Sequence, residues 1–434
     1  MASVVDVSAA GLAEVLRECA GRGSIARGLG RAYGDPAQNG GGTVVRVSPS
    51  ANPMWIDVDA ATATVDAGVS LDELVRRTVP HGFFVPVSPG TRFVTVGGAI
   101  ASDIHGKNHH GDLTFGHHVT ELQLLLADGS NVRVTPESDP DLWWATLGGM
   151  GLTGVITSAT IRLIPIETSR CLVRTRRLEH LEDLLVAMAA DDHLHRYSVA
   201  WLDMTATGDK LGRSVLQQGD HALLTDLAEH SPRSLGDPLE FAPAALATVP
   251  PLPNVMSRLA VRTFNELWFR KAPRDRTATE TISAFFHPLD GVSDWNRFYG
   301  RAGFLQYQFV VPFDAVDTLR AIIEKVAASG HASAISVLKR FGAASGGMLS
   351  FPTPGWTLTF DLPAGAPGLA ELLPTLDSMV VEAGGRHYLA KDAHTTPEII
   401  RAGYPRLDEW KAVRRRVDPH RRWASDQARR LDLF

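Results

Sequence analysis

The chain has 434 residues, more than one ordinary core holds and about right for two or three domains. Its 44% hydrophobic and 21% charged residues are those of a globular protein, and a net charge of −5 gives no reason for nucleic acid to be the main partner. The two cysteines, Cys19 and Cys171, form neither a CxxC nor a zinc pattern, which excludes a disulfide framework and leaves no metal site to expect.

The start, MASVVDVSAAGLAEVL, lacks the basic and then apolar regions of a signal peptide. No apolar run approaches the ~20 residues needed to span a bilayer. A cytoplasmic or peripherally membrane-associated protein is expected, with a periplasmic location left open. Contact with a lipid would come from a surface patch or loop.

Residues 9–20 have apolar side chains at helical spacing and predict a short amphipathic helix. In SIARGLGRAYGDPAQNGGG (24–42), Ser24 to Ala26 end a strand that Gly28, Gly30 and Gly34 interrupt. The third glycine is misplaced for the dinucleotide fingerprint, and Pro36, Asn39 and the glycines that follow deny the helix it needs. Two readings stand: an anion-binding nest of backbone N–H donors, or an ordinary Gly-rich turn.

Strands are predicted at 44–47 and 62–67. Ser70 and Glu73 have the spacing of a capping box, ahead of a helix with Leu71, Leu74, Val75 and Val79 on one face that Pro80 and Gly82 stop. Then comes PVSPGTRFVTVGGAIASDIHGKNHH (86–110). Its glycines permit close approach to a flat or anionic ligand, and His105, Lys107, Asn108, His109 and His110 set titratable groups beside that approach.

Segments 121–126 and 131–135 flank Asp128-Gly129, a hairpin signal. Asp139-Pro140 is an N-cap and N1 pair for a helix through Trp143 and Trp144. GGMGLTGVI (148–156) is a second glycine-rich approach, running into a strand that ends near Ile166. Strands, short helices and glycine loops alternate without βαβ repeats, which predicts an α+β fold.

Residues 206–260 are rich in Pro, Gly, Ser and Asp, and LATVPPLPNVMSRLA reads as a mobile loop or lid. FLQYQFVVP (304–312) alternates, so Gln306 and Gln308 share a face opposite Leu305, Tyr307 and Phe309. A helix over 314–329 would bury Val316, Leu319, Ile323 and Val326. SAISVLKRFG (333–342) puts Lys339 on the face of Ile335 and Val337. GWTLTFDLP (355–363) sets Thr357, Thr359 and Asp361 opposite Trp356, Leu358 and Phe360. The three strands predict a helix-backed antiparallel sheet whose polar face lines a pocket or meets solvent.

The last segment holds RHYLAKDAHTT (386–396) and a basic cluster, Arg414 to Arg416 with Arg421 and Arg422. That cluster is either a solvated helix face or a complement to a phosphate-bearing ligand. Lys391, after the apolar YLA, is the lysine singled out.

Together ARGLGRAYGD, SPGTRFVTVGGAIASDIHGKNHH, GGMGLTG, FLQYQFVVP, YLAKD and VDPHRRWASDQARRL resemble the FAD-dependent oxidases of the vanillyl-alcohol-oxidase superfamily, over nearly the whole chain. Within it they are similar to the branch that oxidises the 2′-hydroxyl of decaprenylphosphoryl-β-D-ribose, the first half of an epimerisation that supplies arabinose for cell-wall arabinan. The resemblance implies a two-domain fold: an FAD-binding domain over 1–169, a substrate domain over 170–385 built on an antiparallel sheet backed by helices, and a C-terminal return over 386–434. It implies FAD held without a covalent bond, although in related oxidases a histidine at this place can be attached to the flavin.

By the same resemblance Arg27, Gly28, Leu29, Gly30, Arg31, Ala32, Tyr33 and Gly34 would bind FAD. So would Pro89, Gly90, Thr91, Val94, Thr95, Gly97, Gly98, Ala99, Ala101, Ser102, Gly106 and Asn108, and then Gly151, Gly154, Val155, Ile156 and Tyr388. His105 and Lys391 would touch cofactor and substrate, and with Tyr33 form the catalytic set. Lys107, Trp201, Gln306, Gln308, Lys339, Thr357 and Thr359 would line the sugar pocket, with Lys339 toward the phosphate and the 240–260 region sheltering the prenyl chain. The family commonly has Asn and Cys where this chain has Thr357 and Thr359, so a thiol is not needed for oxidation. It also carries an N-terminal arm with a TGWGR-like sequence that this sequence lacks.

The implied reaction passes a hydride to FAD, with His105 or Lys391 taking the hydroxyl proton. A separate NAD(P)H-dependent keto-reductase would complete epimerisation. Rival readings are an alditol or sugar-lactone oxidase using O2, and a non-catalytic flavin- or lipid-binding protein.

Overall fold

Three larger β-sheets, with helices packed on them, position everything that follows. The computed structural model describes residues 2–8, 11–18, 21–230, 237–243, 247–249, 257–331 and 334–434. The first sheet is parallel, with Thr43–Ser48 between Ser3–Ser8 and Ser24–Ala26. The helix Leu12–Glu18 supplies a crossover that parallel pairing needs. The second sheet is antiparallel, in the order Met54–Asp57, Thr62–Asp66, Val155–Arg162, Val119–Leu125, Asn131–Val134.

The third sheet has eight strands and antiparallel pairing throughout. At its centre Ser336–Phe341, Gly355–Pro363 and Phe304–Val311 are neighbours. Their apolar faces, with Leu338, Leu358, Phe360, Tyr307 and Phe309, pack on the helices Leu181–Asp191, Val316–Ser329 and Leu369–Glu382. The fold is thus α+β, with an antiparallel sheet backed by helices. The polar faces do not meet solvent. Gln306, Gln308, Thr357, Thr359 and Asp361 are all buried, because the 105–110 segment and Tyr388 lie against them.

Several local readings hold in part. Ser70 caps the helix Leu71–Thr78 by accepting from the Glu73 N–H at 3.1 Å, but the return bond from the Glu73 side chain is not made among the described residues. Asp139 caps Pro140–Thr146 as expected. The 206–260 stretch is more regular than its composition suggests. It contains the strand Ser214–His221, and Ser257 caps a helix, Arg258–Lys271, where the sequence reading placed the end of a lid. Of that lid, residues 246 and 250–256 lie outside the described residues, as does Cys19. Glycine and two glutamines in a central strand mask its period.

The basic C-terminal cluster is structural. Arg414 is fully buried and donates to Trp423 O at 2.6 Å, Arg416 pairs with Asp139 at 3.0 Å, and Arg422 donates to Ala127 O. The Arg421 guanidinium lies over the Phe434 ring. These bonds fasten the returning chain: Ser24 N–H donates to Arg422 O and Ala424 N–H to Ser24 O. Four of the five are thus tied to protein groups, and Arg415 is exposed.

Candidate active site

The central strands deliver polar side chains from one face because alternate residues project to the same side. Gln308 Nε2 lies 2.9 Å from His105 Nε2 and donates to Thr357 Oγ1 at 3.1 Å. Lys339 Nζ lies 3.2 Å from His105 Nδ1. His105 is packed edge-on to Phe341 and near Tyr388, whose hydroxyl donates to Ser102 O. Burial, then the charges of Lys339, His109 and Lys391, pushes the His105 pKa well below its ordinary value, so the ring is neutral. Burial likewise pushes Lys339 down to about 7, with Lys391 and Lys107 adding to the effect.

A second cluster sits at the far end of the same strand. Gln306 Nε2 donates to Asp361 Oδ1 at 2.6 Å, and the Tyr299 hydroxyl donates to Asp361 Oδ2 at 3.0 Å. Burial raises the Asp361 carboxyl above its ordinary range. Lys391 Nζ lies 4.1 Å from the centre of the Tyr33 ring and makes no hydrogen bond among the described residues. Burial pushes its ammonium down to about 8 against the opposing pull of Asp361. Burial and Asp361 raise the Tyr33 phenol well above its usual value.

The turn that carries Lys391 is tightly held. Tyr33 N–H donates to Ala390 O at 2.9 Å, and a Cβ at Gly34 would overlap Asp392 O, so glycine is required there. Asp392 accepts from the His394 and Thr395 N–H groups and pairs with Arg430 at 2.9 Å. His394 reaches back to Asp377, which also binds His387 and Tyr307. Asp361 and the Asp377–His387–His394 group were missed as functional candidates. Asp361 was visible on the polar face, whereas Asp377 sits on a helix whose pattern gives no such signal.

The glycine loop from Arg27 to Gly34 fits an anionic cofactor. The Arg27 N–H donates to Val45 O and the Tyr33 N–H to Ala390 O. Between them the N–H groups of Gly28, Leu29, Gly30, Arg31 and Ala32 donate to no protein group among the described residues. Arg27 and Arg31 are exposed at the same loop. Consecutive free donors flanked by guanidiniums suit a pyrophosphate. Gly90 and Thr91 N–H are also free among the described residues, and a Cβ at Gly90 would meet nothing. Gln306 Oε1 is buried without a partner among the described residues. These features fit FAD.

Other expected residues are placed differently. Thr95 caps Val96–Ala101, and a Cβ at Gly28 would overlap its hydroxyl, so the two glycine loops touch. Gly97 faces Ala67, Ala99 is core, Ala101 packs against that core, and a Cβ at Gly98 would meet only the Thr95 hydroxyl. Asn108 donates to Pro86 O and Asp112, so it pins its own loop. A Cβ at Gly154 would meet Leu125 O at 2.7 Å, and Val155 and Ile156 are core, so their side chains are not offered to a ligand. The Lys107 ammonium donates to Phe285 O and lies 3.9 Å from the Phe285 ring centre. Those contacts turn Lys107 onto an aromatic cluster, and it makes no bond to His105 among the described residues. Trp201 donates to Ala334 O, yet shares a cross-strand row with Thr359 and Gln308.

An FAD binding domain family matches residues 4–135, and a D-arabinono-1,4-lactone oxidase family matches residues 364–431. Decaprenylphosphoryl-beta-D-ribose oxidase of Mycolicibacterium smegmatis is 47% identical over 95% of this chain and 90% of its own. Alditol oxidase of a Streptomyces species is 25% identical over 92% of this chain and 88% of its own. Human Delta(24)-sterol reductase is 34% identical over 26% of this chain and 22% of its own.

Proposed function

The chain belongs to the decaprenylphosphoryl-beta-D-ribose oxidase family of FAD-dependent oxidoreductases, and from that premise we propose that it oxidises the 2′-hydroxyl of decaprenylphosphoryl-β-D-ribose to the ketone. The observation that carries this is the joining of His105, Lys339 and Gln308 on one sheet face, beside a loop of free N–H donors and Lys391. In this proposal residues 1–169 and 386–434 hold the cofactor and residues 170–385 hold the substrate.

FAD, held without a covalent bond by the Arg27–Gly34 loop and the Gly90–Ser102 stretch, supplies the hydride acceptor. The chain's own groups position the sugar and move its proton. His105 has both ring nitrogens engaged, by Gln308 and Lys339, so it orients rather than titrates. Lys391 has a free lone pair in its neutral form, and burial lowers its pKa to about 8, so it accepts the hydroxyl proton. It thereby becomes a buried cation as negative charge enters the site, which Asp361 tempers. Gln306 Oε1 is available to a sugar hydroxyl. Lys339 meets His105 Nδ1 as a neutral amine, and on protonation it turns from the ring to present positive charge to the substrate phosphate.

The ketone must be reduced again to complete epimerisation toward arabinan precursors, which assigns a separate NAD(P)H-dependent keto-reductase as partner. Among the described residues no helix is long and apolar enough to cross a membrane, so we assign the meeting with a lipid-linked substrate to the protein surface. Trapping the product with borodeuteride tests the reaction. Deuterium at C2′ of both ribose and arabinose epimers is expected, and recovery of unlabelled ribose alone would refute it.

A further inference from the structure

Among the described residues the helix Arg258–Lys271 is anchored on one side only. Val261, Asn265 and Phe269 are its buried residues. Asn265 donates to Asp203 at 2.7 Å, and Arg213 links Asp203 to Glu266 while its guanidinium lies against the Phe269 ring. The outward side is apolar: Leu259, Phe264, Leu267 and Trp268 are 76%, 48%, 64% and 46% exposed. Phe264 and Trp268, one turn apart, stack with ring centres 6.0 Å apart. Single exposed apolar residues are ordinary, but four large ones on one helix mark an interaction face.

The charge around it says what kind. Between Ser257 and Arg276 there are six basic residues and two acidic ones, on a chain whose net charge is −5. Arg258, Arg262, Lys271, Arg274 and Arg276 form no ion pair among the described residues. An apolar stripe with aromatic rings, bordered by free cations, complements an anionic lipid surface.

Its place in the fold matters too. One cross-strand row runs Gln308, Thr359, Val337, Trp201, Val215, Arg177. At ~4.8 Å per strand it spans about 24 Å. It begins at the partner of His105 and ends at Arg177, which donates to Arg270 O and packs on Phe269 of this helix.

We propose that Arg258–Lys271 docks on an anionic bilayer, with Phe264, Leu267 and Trp268 in the interface and the free arginines and Lys271 on lipid phosphates, so that a lipid-linked substrate enters along the sheet face that leads to His105. The entry route rests on the substrate reading above. The docking itself is tested without any substrate.

Flotation of the FAD-loaded full chain with phosphatidylcholine vesicles, with and without phosphatidylglycerol, measures it. The wild type is expected to float with the anionic vesicles, much less with phosphatidylcholine alone, and less as salt rises. Leu267→Asp combined with Trp268→Ser should lower the bound fraction at least tenfold, and Arg262→Glu with Lys271→Glu should lower it as well. Melting, flavin spectrum and turnover of detergent-dispersed substrate should stay as in the wild type, which shows that the fold is intact. Equal flotation of wild type and variants, or no flotation of the wild type, overturns the proposal. So does a wild-type dimer that the same substitutions dissociate without any vesicle binding. Failure of the wild type to turn over dispersed substrate would instead overturn the substrate reading and leave the docking result standing.

Discussion

Lys339 Nζ lies 3.2 Å from His105 Nδ1, on the opposite side of the ring from the Gln308 amide. The Gln308 amide nitrogen can only donate, so the neutral ring accepts at Nε2, and its Nδ1–H donates to Lys339 in the neutral amine form. Neither nitrogen is left to bond a cofactor covalently. Acid precipitation of the purified protein should therefore release all of its yellow colour into the supernatant. A yellow pellet would show that the ring is reoriented and covalently attached.

Lys391 carries the proton transfer. Lys391→Met should slow anaerobic flavin reduction by substrate ~100-fold or more, the usual weight of a positioned base, while FAD stays bound. Stopped-flow absorbance reads both. A Lys391→Met protein that reduces at the wild-type rate would remove the lysine from the mechanism.

The pH profile follows from two buried lysines. Lys391 must be neutral to accept a proton, so kcat/KM should fall below its value of about 8. Lys339 must be protonated to meet the phosphate, so kcat/KM should also fall above about 7. The result is a bell with its maximum between the two. Lys339→Met should abolish the alkaline limb and keep the acid one; retention of both limbs would contradict the assignment.

Much of this was legible because it rests on short-range rules. Period-two alternation gave each strand a polar face, with Gln306 and Gln308 on one, Lys339 on the second and Thr357 on the third, and the structure puts the three strands side by side. The glycine loops announced close backbone approach at Gly28 and Gly34. What alternation cannot tell is whether a polar face meets water or protein, since that depends on which distant segment covers it. Here His105 is the cover. The resemblance gave Lys107 to the sugar pocket, and the sequence holds no sign that Phe285, far along the chain, accepts from its ammonium. The Arg414 cluster looked like a charge run, yet burial against Trp423 and Phe434 makes it a fastening. The helix Arg258–Lys271 was hidden by the proline-rich segment before it.

The free N–H groups from Gly28 to Ala32 are flanked by Arg27 and Arg31. Removing either guanidinium should weaken FAD about tenfold, the equivalent of ~1.4 kcal/mol for a charge-assisted contact. Fluorescence titration of apoprotein with FAD measures this for Arg27→Ala and Arg31→Ala. Unchanged affinity in both would move the pyrophosphate elsewhere.

Asp377 binds Tyr307, His387 and His394 behind the Lys391 turn. Burial alone would raise its carboxyl, but the bonds and charges of the two histidines hold it well below the usual carboxylate range. Its stabilisation is therefore full above the ordinary carboxylate pKa and is lost as pH falls toward the depressed value. Asp377→Asn should destabilise the protein by about 3 kcal/mol at neutral pH, as loss of one partner of a buried pair does, and by less in acid. Denaturant melts at two pH values decide it; an equal loss at both would mean that packing, not charge, is what Asp377 provides.

The central claim is that this site takes its electrons from a polyprenyl-phosphoryl ribose. The direct measurement is the visible spectrum of the FAD-loaded protein under anaerobic conditions on adding decaprenylphosphoryl-β-D-ribose, with free alditols and sugar lactones alongside. Bleaching of the oxidised flavin bands by the lipid-linked ribose alone is the predicted result. Bleaching by alditols or lactones with no response to the lipid-linked ribose would contradict the account.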